Sequence, residues 1–303
     1  MCVVALKYFD KIGWVGVKNR DRNYKPTILI RQSHKDDIER LYIWDEKTKY
    51  TEGINEFGTS ILSSATAVKN DEKEGDKENK GDVDEVFYSP DGKVVRTALL
   101  EKNIYDSVHV LVNKHIIGNT IVFNKNKAFL IEAAFKDKND DTSYEYRIKE
   151  IDKDNTITRT NHGLFLKWMG YQYNKNDEHE NNARISSETR LKKVREDIKN
   201  VKIYDKMLDC ISDTSNINPQ LNPLRIDNSR TKVLKTTGQL MIIPNEMTLY
   251  YRPIFCKVSF DFNKLDNPKS KTYFQILSSR KILKKNSNIN YESLLNNFMK
   301  REI

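Results

Sequence analysis

Short apolar runs separated by polar turns occupy the beginning of the chain, and this pattern is typical of β-strands. Residues 2–9 and 14–19 form the first two runs. Further runs, rich in β-branched and aromatic side chains, lie at 28–30 and 41–44. The spacing predicts antiparallel strands arranged as a meander.

Two later segments have apolar residues at helical spacing. Between 94 and 112 they recur roughly every three or four residues, which predicts one or two helices, the clearer one starting at Asn103. The same spacing over 189–206 predicts a helix whose first turn is capped by Ser186 or Ser187, because a hydroxyl there can accept an N–H hydrogen bond.

Strand patterns return between and after these helices. A polar turn at 124–127 joins two strands, and 144–151 and 156–160 are predicted to extend the same sheet. The last strand contains Pro253, which lacks an N–H and therefore favours a position near a sheet edge. The predicted strands of this part cover residues 119–123, 128–133, 144–151, 156–160, 237–243 and 247–262. The order of elements predicts an α+β sandwich of two sheets with helices outside.

Composition divides the chain into one predicted catalytic domain, residues 1–262, and a basic C-terminal extension, residues 263–303. Residues 69–85 carry many charges of both signs and few apolar side chains, so they are predicted to be a mobile insertion. The extension holds nine Lys or Arg against three acidic residues. It contains no nucleic-acid motif, so contact with a nucleic acid through it stays open but is not favoured.

The 303 residues are 38% hydrophobic and 31% charged, with a net charge of +9, which is compatible with a folded core and wet loops. No apolar stretch is long enough to cross a membrane, and no signal peptide is evident, so a cytoplasmic protein is expected. Three cysteines and five histidines lack metal-ligand spacing. We therefore expect no metal, no other cofactor and no disulfide framework.

Cys2 directly follows the initiator methionine. If Met1 is removed, this one residue carries both a thiol and an α-amine. The amine titrates near pH 8, close to the thiol, so it can act as the general base for its own side chain. The pattern is that of an N-terminal nucleophile.

A dense polar run from Lys18 to Tyr24 ends the second predicted strand, beside the start of the first. A carboxylate such as Asp21 would hold the Cys2 amine, and a nearby cation would lower the pKa of the thiol. Lys18 and Arg20 share a strand face because side chains alternate along a strand. Either one can supply that cation.

Four motifs follow one another along the chain: KNRD at 18–21, GINEFG at 53–58 before a strand of small residues, TNH at 160–162 and SSETR at 186–190. With Cys2, this set resembles the N-terminal nucleophile hydrolases of the choloylglycine hydrolase, penicillin V acylase and acyl-coenzyme A:6-aminopenicillanate acyltransferase group. The resemblance implies a four-layer αββα fold. It also implies cleavage of a linear non-peptide amide through an acyl-enzyme thioester, with acyl transfer as a related activity.

The roles that the resemblance implies are Cys2 as nucleophile and base, Asp21 orienting the amine, Asn161 as oxyanion donor and Arg190 completing the charged network. A backbone N–H near Ser63 or Ser64 is the second expected oxyanion donor. The candidate substrate-binding residues are Lys18, Arg20, Asn55, Ser63, Ser64 and His162. Lys18 stands where the family has arginine, and Ala65 or Ser63 stands near an asparagine of choloylglycine hydrolases, so bile-salt specificity is not supported.

Two other functions remain open. The chain could be a catalytically inactive relative that uses the fold as a binding or structural module. It also shares the Met-Cys start of class II amidotransferase glutaminase domains, although it lacks their Gly-His-Thr-Arg type motif. The expected partner is a small-molecule acyl amide, and homo-oligomerisation stays open.

Overall fold

The computed structural model describes residues 2–36, 38–66, 92–137, 140–173, 176–227, 233–262 and 273–276. The predicted insertion at 69–85 lies outside the described residues, and so does most of the predicted extension at 263–303. Residues 273–276 of that extension form a strand of the main fold.

The first sheet has six strands in the order β10-β1-β2-β11-β12-β14. Neighbouring strands are antiparallel except β12 and β14, which run parallel. Its strands are β1 (Val3–Phe9), β2 (Gly13–Arg22), β10 (Ile157–Arg159), β11 (Lys235–Ile243), β12 (Thr248–Pro253) and β14 (Tyr273–Ile276).

The second sheet has eight strands in the order β13-β3-β4-β5-β6-β7-β8-β9. It is antiparallel except where β13 runs parallel to β3. Its strands are β3 (Thr27–Lys35), β4 (Ile38–Asp45), β5 (Thr51–Asn55), β6 (Ser60–Ser64), β7 (Gly118–Phe123), β8 (Ala128–Phe135), β9 (Tyr144–Glu150) and β13 (Lys257–Phe262).

Among the described residues, three α-helices cover the outer faces of the two sheets. They are α1 (Gly92–Ala98), α2 (Ile104–Asn113) and α3 (Glu178–Asn200), and short 3-10 turns occupy Asp141–Ser143, Tyr204–Lys206, Asp209–Ile211, Pro219–Leu221 and Pro244–Glu246. In the part of the chain that the structure describes, no helix is both long and apolar enough to span a membrane.

Most of the described core lies in three apolar layers, and a small fourth cluster contains Ala134, Leu166 and Met169. The middle layer lies between the sheets and includes Trp14 and Tyr251 from the first sheet and Phe123 from the second, all fully buried. An outer layer packs α1 and α2 against the second sheet, and the other packs α3 against the first through Val194 and other residues. Burying apolar side chains on both faces of each sheet favours this stacking. The predicted α+β fold with αββα layers is confirmed.

The predicted meander of the first four strands is wrong, because the chain changes sheets after β2. Strands β1 and β2 pair in the first sheet, whereas β3 and β4 pair in the second. The crossing occurs at 23–26, which ends in Pro26, a residue without a ladder donor. Strand β10 was also predicted in the wrong sheet, since it pairs with β1 and places Arg159 opposite Val4.

The predicted final strand over 247–262 is instead two strands, β12 and β13, which belong to different sheets. Pro253 ends β12, next to the outermost strand β14, beyond the last residue pair that joins those strands. On its other side Pro253 is paired with Gly238 of β11. The predicted position of this proline near a sheet edge is confirmed, because β12 is the neighbour of β14 in the described sheet.

Helix α3 begins eleven residues before the predicted start at Thr189. Asp177 caps it by accepting a 3.0 Å hydrogen bond from the Glu180 backbone N–H. The added turns are polar on most sides, and they gain an i,i+4 ion pair between Arg184 and Glu188 at 2.7 Å. An apolar stripe therefore could not reveal them. The predicted cap at Ser186 or Ser187 is wrong, because both residues lie inside the helix.

The prediction for 94–112 is confirmed as α1 and α2. Asn103 caps α2, and its side-chain oxygen accepts a 2.9 Å hydrogen bond from the Asp106 backbone N–H. This is the arrangement that asparagine favours at a helix start.

Candidate active site

Cys2 lies immediately before β1, in the middle of the first sheet, and its side chain is 1% exposed. Its backbone nitrogen donates a 2.9 Å hydrogen bond to Oδ1 of Asn161. Asn161 follows β10, which pairs with β1 on the side opposite β2. The nitrogen that would become the α-amine is therefore held by a residue from a neighbouring strand.

Side chains of β2 alternate between two networks. Lys18, Arg20 and Arg22 contact acidic residues of the second sheet, whereas Asn19 and Asp21 contact the layer of α3 and its following loops. This is the two-residue period of an extended strand. One strand therefore supplies charged groups to both sides of Cys2.

Glu52 and Asp45 neutralise the cations between the sheets. Glu52 forms ion pairs with both Lys18 and Arg20, and the three side chains are fully buried. Asp45 pairs with Arg22 at 3.0 Å and lies 3.9 Å from Arg20. Buried charges of this kind are tolerated because they are paired.

Arg22 is the cation whose side chain contacts the Cys2 sulfur. Its Nη1 lies 4.0 Å from Sγ of Cys2. Sequence reasoning offered Lys18 or Arg20 for this place and missed Arg22. The signal was present, because Arg22 shares the face of Lys18 two further residues along the strand. Arg20 instead pairs with Glu52 and Asp45.

The three cysteines differ in acidity although all are buried. Burial tends to raise the pKa of the Cys2 thiol, but neighbouring positive charges, Lys18 first and Arg22 among the others, lower it, and the net pKa is below the ordinary value. Burial raises the pKa of Cys210 to about 12 and also raises that of Cys256. A lowered thiol pKa is the usual sign of a reactive cysteine.

Asp21 organises the network on the helix side of β2. Its Oδ2 lies 2.8 Å from Nη1 of Arg190 and 3.4 Å from Nη1 of Arg225, and its Oδ1 accepts a 2.8 Å hydrogen bond from Thr236. Arg190 Nη2 then donates to Oδ1 of Asn161 at 3.3 Å. Asp21 is thus connected to the Cys2 nitrogen through Arg190 and Asn161. Its carboxylate accepts hydrogen bonds from Arg190, Arg225 and Thr236, whereas the Cys2 nitrogen donates to Asn161.

The side chain of Asn161 forms hydrogen bonds with groups on both sides of the first sheet. While Oδ1 accepts from Cys2 and Arg190, Nδ2 donates to the backbone oxygen of Ala65. An amide group has two N–H hydrogens, so one remains for the predicted role as oxyanion donor. The backbone N–H of Asn161 donates to Oγ of Ser187 at 3.1 Å, which fixes the asparagine to α3.

Arg225 belongs to the site but was not predicted. It is fully buried, its Nη2 donates to Oγ of Ser186 at 2.6 Å, and its backbone N–H donates to Thr236 at 2.9 Å. Burial and the charge of Arg190 lower its pKa to about 9. The residue stands in an irregular segment without a recognisable motif, so the sequence gave no signal for it.

Ser63 and Ser64 end β6 beside this cluster. The backbone oxygen of Ser63 accepts hydrogen bonds from Lys18 and Tyr50, and the Ser64 hydroxyl donates to the backbone oxygen of Thr160 at 2.5 Å. Both predicted residues are therefore next to groups that surround Cys2. Their binding of substrate stays a prediction.

Asn55 is not brought to the cluster, contrary to its expected place in the site. It is the last residue of β5, where the turn to β6 begins, and so lies near the end of β6 away from Ser63 and Ser64. Its Nδ2 donates to the backbone oxygens of Leu99 and Glu101, and its Oδ1 accepts from backbone N–H groups of the turn. The Asn-Glu-x-Gly motif here holds a turn together.

His162 is buried against α3 and forms contacts within the protein. Its Nδ1 lies 2.8 Å from Oγ of Ser187 and 3.3 Å from Oγ1 of Thr160. Burial and the charge of Arg184 lower its pKa to about 4 from the ordinary value of 6.5. The imidazole is therefore neutral in the folded protein at neutral pH, and it supports the loop that carries Asn161.

The lowered pKa of His162 makes a prediction about acid stability. The unfolded chain gains a proton near pH 6.5 and the folded chain only near pH 4, so the stability present above pH 6.5 is lost as the pH falls towards 4. Between pH 8 and pH 5 the loss is about 2 kcal/mol. Urea unfolding at several pH values should show a correspondingly flatter profile for His162→Gln. Parallel profiles for the two proteins would contradict this.

A groove of about 430 Å³ runs along α3 beside the loop of His162 and Leu164, and Arg184, Glu188 and Arg195 are among its lining residues. Cys2 is not among its lining residues. Within the described ranges, no three His, Cys, Asp or Glu side chains form a group that could hold a metal ion.

Fold and site together define an α+β sandwich with a buried cysteine at the start of its first strand. No protein-family model matches the chain, and no curated protein matches its sequence. Among solved structures it is similar to penicillin V acylase from Agrobacterium tumefaciens, with a TM-score of 0.45 and 9% identity over 91% of this chain and 95% of the other. It is also similar to a mutant conjugated bile acid hydrolase from Clostridium perfringens, with a TM-score of 0.44 and 11% identity over 84% of this chain and 89% of the other.

Proposed function

We propose that the protein is an N-terminal cysteine amidohydrolase that cleaves a linear acyl amide through a thioester. The observation that supports this most is the position of Cys2 between two networks. Its nitrogen is bonded to Asn161, and its sulfur lies beside Arg22. The two groups that an N-terminal nucleophile needs, a base and a thiol, are therefore each fixed by separate neighbours.

The mechanism begins once Met1 has been removed, because only a free α-amine can accept a proton. The amine takes the thiol proton, and the Cys2 sulfur attacks the amide carbonyl. When the carbon–nitrogen bond breaks, the ammonium returns this proton to the leaving amine and a thioester remains. Water then attacks the thioester and gives a proton to the amine, which passes it to the departing thiolate, so the acid and the free enzyme are released.

Each network has a distinct part in these steps. Asn161 Oδ1 accepts one N–H of the amine and so orients its lone pair, while Arg190 and Asp21 keep Asn161 in place. Lys18 and Arg22 stabilise the thiolate. The remaining Nδ2 hydrogen of Asn161 and a backbone N–H near Ser63 or Ser64 are our candidates for the oxyanion. One such donor is typically worth roughly a hundredfold or more in rate.

Alkylation of the native protein tests the proposal directly. Iodoacetamide at pH 6, followed by mass mapping, should label a Met-free Cys2 faster than Cys210 and Cys256. These two are matched controls, since all three side chains are at most 5% exposed. A panel of acyl 4-nitroanilides with aliphatic and aromatic acyl groups should then leave an acyl group on Cys2. Retained Met1, or equal labelling of the three thiols, would favour a catalytically inactive binding module.

A further inference from the structure

The ring of Tyr50 lies among the three cationic side chains of β2, which are those of Lys18, Arg20 and Arg22. Its ring centroid is 4.0 Å from Nζ of Lys18, 5.3 Å from Cζ of Arg20 and 5.2 Å from Cζ of Arg22. The residue precedes β5 and is 1% exposed. Contacts within about 6 Å of a ring centroid are in the range of cation–π attraction.

These neighbours distinguish Tyr50 from an ordinary core tyrosine. Buried tyrosines elsewhere, such as Tyr42 and Tyr251, pack in the apolar layers. Tyr50 belongs to none of the apolar clusters formed by the described residues, although it is equally buried. Its ring therefore does something other than fill the core.

The charges around Tyr50 do not balance without Cys2. Three cations of β2 face two carboxylates, Glu52 and Asp45, which leaves one positive charge. A thiolate at Cys2 supplies the missing negative charge. The negative face of an aromatic ring can hold cations together without adding a full charge that would compete with the thiolate.

The hydroxyl of Tyr50 connects this group to β6. It lies 2.6 Å from Nζ of Lys18 and 2.9 Å from Oγ of Ser63, and it also donates to the backbone oxygen of Ser63. Burial and the charge of Glu52 raise its pKa well above the ordinary value, so it stays protonated. Lys18 is thereby held by a neutral partner as well as by Glu52.

We propose that Tyr50 is a positioning residue that holds Lys18 and Arg22 beside the Cys2 sulfur and so sets the reactivity of the nucleophile. Tyr50 contacts both cations directly, and it acts on the sulfur through them. This inference rests on the proposed function, in which the Cys2 thiolate is the attacking group.

The test measures the rate of Cys2 alkylation against pH in Tyr50→Leu, Tyr50→Phe and Tyr42→Leu. Without the ring the cations can move away from the sulfur, which raises the pKa of the Cys2 thiol. The thiolate fraction at pH 6 falls tenfold for each unit by which this pKa rises. We expect Tyr50→Leu to react about tenfold more slowly at pH 6, and Tyr50→Phe, which keeps the ring but not the hydroxyl, about threefold more slowly. Tyr42→Leu is the matched control, because Tyr42 is 2% exposed and its ring lies 5.6 Å from Arg40, which is not one of the three cations of β2.

An unchanged rate in Tyr50→Leu, or an equal slowing in Tyr42→Leu, would overturn the inference. If Tyr50→Leu does not fold, the comparison of Tyr50→Phe with Tyr42→Leu decides alone. The proposed function is tested independently of the Tyr50 variants. It predicts that Cys2 of the wild-type protein reacts faster than Cys210, and equal rates would contradict it.

Discussion

Cys2→Ala is expected to abolish hydrolysis of any acyl amide that the wild-type protein cleaves. The variant keeps an α-amine but has no sulfur to form the thioester. Loss of the nucleophile in an enzyme of this type costs about four to six orders of magnitude in turnover. Steady-state kinetics with the best nitroanilide, together with a mass measurement of the acyl-enzyme, gives the comparison.

Cys210→Ala is the control for this substitution. Cys210 is also buried, and its thiol donates to the backbone oxygen of Met207 at 3.0 Å, but its raised pKa keeps it unreactive. We expect its loss to leave turnover within about threefold of wild type, since it touches no group of the site. Hydrolysis that survives in Cys2→Ala would place the reaction elsewhere and contradict the proposed function.

Asp21→Asn should be among the most destabilising single substitutions in the protein. Asp21 is the carboxylate that Arg190 and Arg225 share, and all three side chains are fully buried. Removing one partner of a buried ion pair typically costs about 3–5 kcal/mol, because the remaining charge is left uncompensated. Urea unfolding monitored by circular dichroism would measure the free energy of unfolding.

Thr236→Val separates charge from hydrogen bonding in the same network. It removes the hydroxyl that donates to Asp21 and accepts from the Arg225 backbone N–H, but it keeps every charge. The expected cost is about 1–3 kcal/mol, the typical penalty of an unmade buried hydrogen bond. If Asp21→Asn costs no more than Thr236→Val, the carboxylate charge is not what stabilises the two arginines.

The fold class was predictable because it depends on periodicity. Apolar runs at strand spacing and two helical stretches were enough to indicate two sheets with outer helices. The assignment of individual strands to sheets was less predictable. Strand β10 is only three residues long, and nothing in Ile157–Arg159 specifies pairing with β1 rather than a place in the sheet of β7 to β9.

The site residues found from sequence are those that stand in motifs. Cys2, Asp21, Asn161 and Arg190 come from four distant segments, and the structure connects them in one hydrogen-bonded chain. Their catalytic roles stay predictions. Tyr50 and Arg225 could not be found in this way, because their importance comes from neighbours that only the tertiary fold brings close.

The alternation along β2 has a consequence for how this protein can vary. Replacing one charged residue changes only the contacts of that residue. Inserting a single residue between Gly13 and Val17 would instead move every side chain from Lys18 to Arg22 to the opposite face of the sheet. The cations would then face α3, and Asp21 would face Glu52 and Asp45, so that like charges meet without counterions. Which side of β2 the cations face therefore depends on the number of residues between the β1–β2 hairpin and Lys18. We expect homologous sequences to accept substitutions in this segment far more readily than insertions or deletions.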